Sequence, residues 1–330
     1  MCHTDLHYIK NDWGITMYPV VASHPAVLLG WRDRSAVCLL TPSRLRHALS
    51  YFSNADSTTC PAVTVGVDFG VPTWFHHDSM TSRYVVHIPE SLPLDKAAPL
   101  LCAGITVFSP MKQHNMLQPG KKLGVVGLGG LGHIAVKFGK AFGLHVTVIS
   151  TSPSKETEAK TRLGADDFLV STDPKRMQSP LVRRQACARS LDFIIDTVSA
   201  KHSLGPMLEL LKIRGVLALV GAPDQPLELP SFPLIFGELT WKAQTKWWCA
   251  STFLLVMDWR CDVAGKRTVS GSIIGGIKET QEMMDVCGKY NITSEIELVT
   301  PDRINEALDR LARNDVRYRF VIDISPKSNF

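Results

Sequence analysis

The sequence predicts an α/β protein built on a doubly wound parallel sheet, joined to a second part of irregular pattern. Three observations predict this. Between residues 103 and 275, short apolar runs alternate with segments of helical period, the pattern of a parallel sheet covered by helices. Inside that span, Lys122–His133 reads as an apolar strand, a glycine-rich turn and a helix start. Residues 1–102 instead carry Ser, Thr, Pro and His, with weak periodicity from Arg32 to Ser82.

Taken in order, Val20, Val21 and Val27–Leu29 look strand-like. The sheet strands are expected at Leu123–Gly127, His145–Ser150, Phe168–Val170, Asp192–Asp196, Val216–Val220 and Val269–Ile274, each a short apolar run bounded by turn residues. Leu131–Phe142 places Ile134, Ala135, Phe138 and Phe142 at helical spacing. Lys278–Arg313 offers two amphipathic helices flanking a short strand near Glu295–Val299, and Tyr318–Ile324 reads as a last strand. Two segments break the pattern and read as insertions. Glu238–Gly265 holds Trp241, Trp247, Trp248 and Trp259, and Gln178–Arg189 holds Arg183, Arg184 and Arg189.

Composition narrows the class. With 45% hydrophobic and 20% charged residues in 330, the chain suits folding into about two globular domains and is not a disordered chain. A net charge of +5 without a basic run argues against a nucleic-acid partner. None of the eight cysteines is spaced C-x-x-C, so no zinc ribbon or tight redox pair is written here. The apolar stretch from Trp247 to Trp259 is short of the roughly 20 residues a membrane span needs. A reducing, cytoplasmic location is the expectation.

The strongest chemical signal is Gly127-x-Gly129-x-x-Gly132 at the junction of strand and helix, the context of a dinucleotide fingerprint. Gly127 permits the tight turn, Gly129 lets the backbone approach a pyrophosphate, and Gly132 allows close helix–strand packing. Leu128, Gly130 and Leu131 complete the loop, whose amides at the helix start attract phosphate. The unit is therefore identified as a Rossmann domain. An NAD site places Asp or Glu about 20 residues further on, for the ribose hydroxyls. Here the second strand ends in Ser150-Thr151-Ser152-Pro153-Ser154-Lys155, with no acid until Glu156. Hydroxyls and an ammonium suit a 2′-phosphate, which favours NADP over NAD. Ser150 and Ser152 also suit helix capping.

The opening Cys2-His-Thr-Asp-Leu-His7 is dense in metal-ligand and proton-transfer groups. Together with Tyr18-Pro-Val-Val21, Pro99–Thr106, Gly271–Glu279 and Asn314–Phe320, it resembles the zinc-dependent medium-chain alcohol dehydrogenases, and within them the plant cinnamyl alcohol dehydrogenase group. The resemblance covers residues 1–21, 83–177, 190–237 and 266–324, in family order. It implies a mainly-β, GroES-like catalytic domain from residues 1–102 and 276–330, incomplete here because residues 22–82 diverge and the structural zinc loop is absent, and an NADP-binding domain at 103–275 with 238–265 inserted. It implies a catalytic zinc held by Cys2, His24 and Cys102, and a proton relay through Thr4 and His7. Cofactor contacts are implied at Thr4, Thr106, Thr197, Gly221, Ser272, Ile273 and Ile274; for Thr106 and Thr197, turn or strand-end packing is an equal reading. The implied activity is NADP-dependent reduction of cinnamaldehydes to cinnamyl alcohols, the lignin-precursor step. The implied assembly is a homodimer paired edge to edge near Val269–Ile274.

The chain departs from this pattern in two places. Where the family reads Pro-Gly-His-Glu, this chain reads Ala22-Ser-His-Pro25, so His24 keeps register while the acid is lost. The four closely spaced cysteines of the structural zinc loop are absent, so one zinc rather than two is expected. Two other readings fit the altered ligand set: a zinc-independent NADP(H) reductase, and a catalytically inactive NADP(H)-binding protein.

Overall fold

A computed structural model describes residues 85–172, 189–235 and 265–323, together with Lys10 and the short stretches 35–37, 243–244 and 256–257. The strand-like residues Val20, Val21 and Val27–Leu29, and most of the two inserted segments, lie outside the described residues. Two short antiparallel ladders join strand β1 (Ser35–Val37) to β2 (Val85–His87), and β8 (Ala243–Gln244) to β9 (Val256–Met257).

The centre is a six-stranded parallel sheet of β3 (Lys122–Val126), β4 (His145–Ser150), β5 (Asp167–Val170), β6 (Leu191–Asp196), β7 (Leu211–Leu219) and β10 (Thr268–Gly271). Its order is β10-β7-β6-β3-β4-β5. The chain therefore starts in the middle, winds outward one way, returns, and winds the other way. That reversal lies between β3 and β6, and in open α/β sheets ligands bind outside the strand carboxyl ends at such a point.

Four of the expected strands, β3 to β6, agree with the observed ones to within one residue at both ends, and β7 and β10 agree so at one end. The difference at β7 is larger, since it begins at Leu211, where the Gly205–Leu210 helix hands directly to the strand. Apolar residues run on from helix into strand there (Met207, Leu208, Leu210 and Leu211, with Glu209 between them), a pattern that periodicity cannot divide. At β10 the ladder ends at Gly271; Ser272 N still donates to Leu219 O at 3.0 Å, but Ile273 then leaves the sheet and is 79% exposed.

The Gly132–Ala141 helix covers the sheet because Ile134, Ala135 and Phe138 fall on one face. They are fully buried in the cluster that contains Leu123 and Val125 of β3 and Val146 and Val148 of β4. Phe138 also meets Phe108 of the Ala103–Gln113 helix, ring centroids 5.4 Å apart. Burying a side chain such as Ile134 or Phe138 stabilises the fold by about 1.5–3 kcal/mol. The two expected carboxyl-terminal helices are Ile277–Tyr290 and Ile304–Ala312. Between and after them, β11 (Ile296–Val299) and β12 (Arg319–Ile322) pair in parallel.

Candidate cofactor site at the switch point

The candidate site grows from the end of β3. Gly127 N donates to Ile149 O of β4 at 2.8 Å, so the chain is still tied to the neighbouring strand where the turn begins. Its φ of +84° lies in the left-handed region, where a side chain is strained and glycine is not. The next turn closes onto itself: a Cβ on Gly132 would lie 2.0 Å from the carbonyl oxygen of Gly127. Backbone cannot retreat from that contact as a flexible side chain would, so position 132 requires glycine. Gly129, by contrast, has nothing within 4 Å of where its Cβ would stand. Its face is open to an incoming ligand, while the first amides of the helix supply donors for an anion.

Lys155, in the short 3-10 turn Pro153–Lys155, returns to this loop and donates to Leu128 O at 2.8 Å. Burial, reinforced by Arg317, holds its ammonium below its ordinary pKa, with Glu158 acting in the opposite sense. Ser150 is buried and its Oγ accepts from Ser152 N at 3.2 Å. Ser152 caps the turn by position without a side-chain hydrogen bond, and Thr151, Pro153 and Ser154 are exposed.

From the other side of the crevice, Thr197 follows β6. Its amide donates to Val126 O at 3.0 Å, and its hydroxyl to Val126 O at 2.8 Å and Gly127 O at 3.2 Å. The Thr197 side chain thus braces the turn as well as lining it. Gly221 packs so closely on the same loop that a Cβ would fall 2.3 Å from Val198 O. Asp196, nearly fully buried, accepts from Val198 N at 3.1 Å and contacts His202 Nε2 at 2.6 Å. The Asp196 carboxylate raises the His202 pKa above its ordinary value, burial opposing. Ser272, Ile273 and Ile274 follow β10 at the same carboxyl end of the sheet.

Thr106 lies in the Ala103–Gln113 helix, where its hydroxyl donates back to Cys102 O at 2.7 Å, a local packing role. Cys102 stands at the start of that helix, half-buried. A half-exposed cysteine at a helix start is chemically suited to hold a metal. Cys2, His24, Thr4 and His7 lie outside the described residues, and among the described residues no three His, Cys, Asp or Glu side chains converge as a metal site.

Two residues at the loop carry no role in the sequence reading. Arg319 of β12 is 8% exposed, and its guanidinium lies over the loop: Nε is 3.4 Å from Gly130 O and fills the space a Cβ on Gly130 would need. A buried cation beside donor amides gives the loop a second attraction for a diphosphate. His133, at the helix start, is fully buried beneath the loop. Spacing could not reveal either contact, because Arg319 is 189 residues from Gly130 and Ser294 is 161 from His133.

The described residues include no helix long and apolar enough to cross a membrane. The zinc-binding dehydrogenase family matches residues 130–260. The chain is 55% identical to a protein described as probable cinnamyl alcohol dehydrogenase 6 of Oryza sativa subsp. japonica, across 99% of this chain and 87% of that one. Among solved structures, a cinnamyl alcohol dehydrogenase of Sorghum bicolor superposes with a TM-score of 0.72 at 41% identity, covering 98% of this chain and 87% of the other. A Helicobacter pylori enzyme described as a CAD complexed with NADP(H) gives a TM-score of 0.66 at 28% identity, covering 100% and 88%.

Proposed function

From the premise that this chain belongs to the zinc-binding medium-chain dehydrogenases, as an alcohol dehydrogenase of the cinnamyl alcohol dehydrogenase group, we propose that it reduces cinnamaldehydes to cinnamyl alcohols with NADPH, a lignin-precursor step in the cytoplasm. The observation that carries the cofactor choice is Lys155. Its ammonium reaches the phosphate-binding loop from the end of the second strand, and no carboxylate stands between Ser150 and Lys155.

In this reading residues 103–275 bind the cofactor, and residues 1–102 with 276–330 form the catalytic part. Amides of Gly129–Gly132 and the Arg319 guanidinium hold the diphosphate; Ser150–Lys155 hold the 2′-phosphate. Thr106, Thr197, Gly221 and Ser272–Ile274 shape the remaining cradle. Cys2, His24 and Cys102 hold one zinc ion. Bound NADPH supplies the hydride, and bound zinc supplies Lewis acidity at the substrate oxygen. Thr4 and His7 pass a proton between the substrate oxygen and solvent. Strand β10, which ends the sheet among the described residues, supplies the pairing edge of a homodimer.

The zinc content of the purified full chain, measured beside coniferaldehyde-dependent oxidation of NADPH, tests the site. About one zinc per chain with turnover is the expected result. NADPH binding with neither zinc nor turnover would remove the enzymatic part of the proposal.

A further inference from the structure

The imidazole of His133 lies between two parts of the chain that are far apart in sequence. Nδ1 is 2.9 Å from Gly129 O, inside the phosphate-binding loop. On the other side, Glu295 N donates to Nε2 at 3.3 Å, and Ser294 Oγ lies 3.2 Å from the same nitrogen. A nitrogen that accepts an amide proton carries none, so Nδ1 holds the single ring proton and donates it to Gly129. The ring also stacks on Tyr318, centroids 4.6 Å apart at 15°. Burial lowers the His133 pKa to about 3, so the neutral form persists through the physiological range.

The Gly129 carbonyl receives a second bond from His133 N at 3.1 Å. Because a peptide unit is planar and trans, fixing this carbonyl also fixes the Gly130 N–H, which points the opposite way. That N–H is one of the donors at the helix start. The segment holding Nε2 is itself anchored: Glu295 pairs with Lys137 at 2.8 Å and Arg162 at 2.5 Å, and Lys137 also donates to Thr293 O at 2.7 Å.

We propose that His133 is a positioning residue: it aims the Gly130 amide by holding Gly129, and it makes the shape of the phosphate-binding loop depend on the Ser294–Glu295 segment. The inference rests on reading that loop as the NADPH diphosphate site. Seating of the cofactor thereby depends on a segment more than 160 residues away.

Two conservative substitutions separate the two contacts. His133→Asn sets an amide nitrogen near the place of Nδ1 and loses the bonds of Nε2. His133→Gln reaches toward Nε2 and loses the bond to Gly129. Losing one neutral hydrogen bond corresponds to roughly a fivefold change in an equilibrium, and misaiming a donor adds to it. By fluorescence titration, the NADPH Kd is expected to rise about tenfold in His133→Gln and at most about threefold in His133→Asn. The kcat at saturating NADPH and the aldehyde KM should stay unchanged. Ser294→Ala, which leaves the ring in place, should match His133→Asn.

Amide hydrogen exchange of residues 128–133 in the cofactor-free full chain is the companion measurement. It should quicken more in His133→Gln than in His133→Asn, whichever nucleotide the loop binds. A wild-type chain that ignores NADPH would refute the cofactor reading, with exchange still deciding the role of His133. Equal effects of the Gln and Asn substitutions, or a Ser294→Ala chain identical to wild type in both measurements, would overturn the inference.

Discussion

Replacing Lys155 by alanine separates a 2′-phosphate role from simple support of the loop. The ammonium donates to Leu128 O at 2.8 Å, so its removal affects any nucleotide that uses the loop. That shared loss is about 1 kcal/mol, or roughly fivefold in Kd. A charged hydrogen bond to a 2′-phosphate adds about 1.5–3 kcal/mol, or roughly 10–150-fold, for NADPH alone. Bare Coulomb attraction at 4 Å would be about 4 kcal/mol at an effective dielectric constant of 20, but Lys155 is only half-buried and water screens the pair. The ratio of NADH to NADPH dissociation constants, measured by calorimetry, should therefore fall about 10–150-fold in Lys155→Ala. Lys155→Arg, which keeps the charge, should keep most of the preference. Equal weakening of both nucleotides would refute the reasoning and leave Lys155 as a prop beneath Leu128.

Other perturbations probe the frame of the site. Gly132→Ala places a methyl carbon against the Gly127 carbonyl, and overpacking of this kind costs about 1–3 kcal/mol. The melting temperature should fall, and NADPH affinity should fall with it; an unchanged melting temperature would show that the loop can open freely. His202 has a raised folded-state pKa because of Asp196, so its contribution is full below its unfolded value of about 6.5. That contribution is lost as pH rises through the raised folded value. The stability gap between wild type and His202→Gln in urea should accordingly be widest near pH 6 and shrink toward pH 9. A gap independent of pH would mean that His202 acts without its charge.

Much of the cofactor domain was legible because its signals are local. The β4 strand His145–Ser150 and the helix following Gly132 rest on periodicity and turn residues within a dozen positions. The boundary at Leu211 was hidden because apolar residues continue across it, with Leu210 ending the helix and Leu211 opening the strand. The end of β10 came three residues earlier than expected because Ile274 and its neighbours look strand-like while Ile273 turns out to solvent. Arg319 over Gly130 and His133 against Ser294 were illegible for a different reason. They are made by tertiary packing, and no spacing rule relates residues so far apart. The metal half of the site rests on resemblance at Cys2 and His24, with Cys102 the member of the trio whose placement is described.

The most direct test of the central claim follows the hydride itself. Zinc-supplied full chain is given coniferaldehyde and NADPH carrying deuterium at the transferable position of nicotinamide C4, and the product is read by mass spectrometry and proton NMR. Reduction of the carbonyl predicts coniferyl alcohol with one deuterium on the carbinol carbon. Deuterium on the side-chain double bond would instead identify a reductase of activated alkenes, and absence of labelled product despite NADPH binding would identify a cofactor-binding protein without turnover.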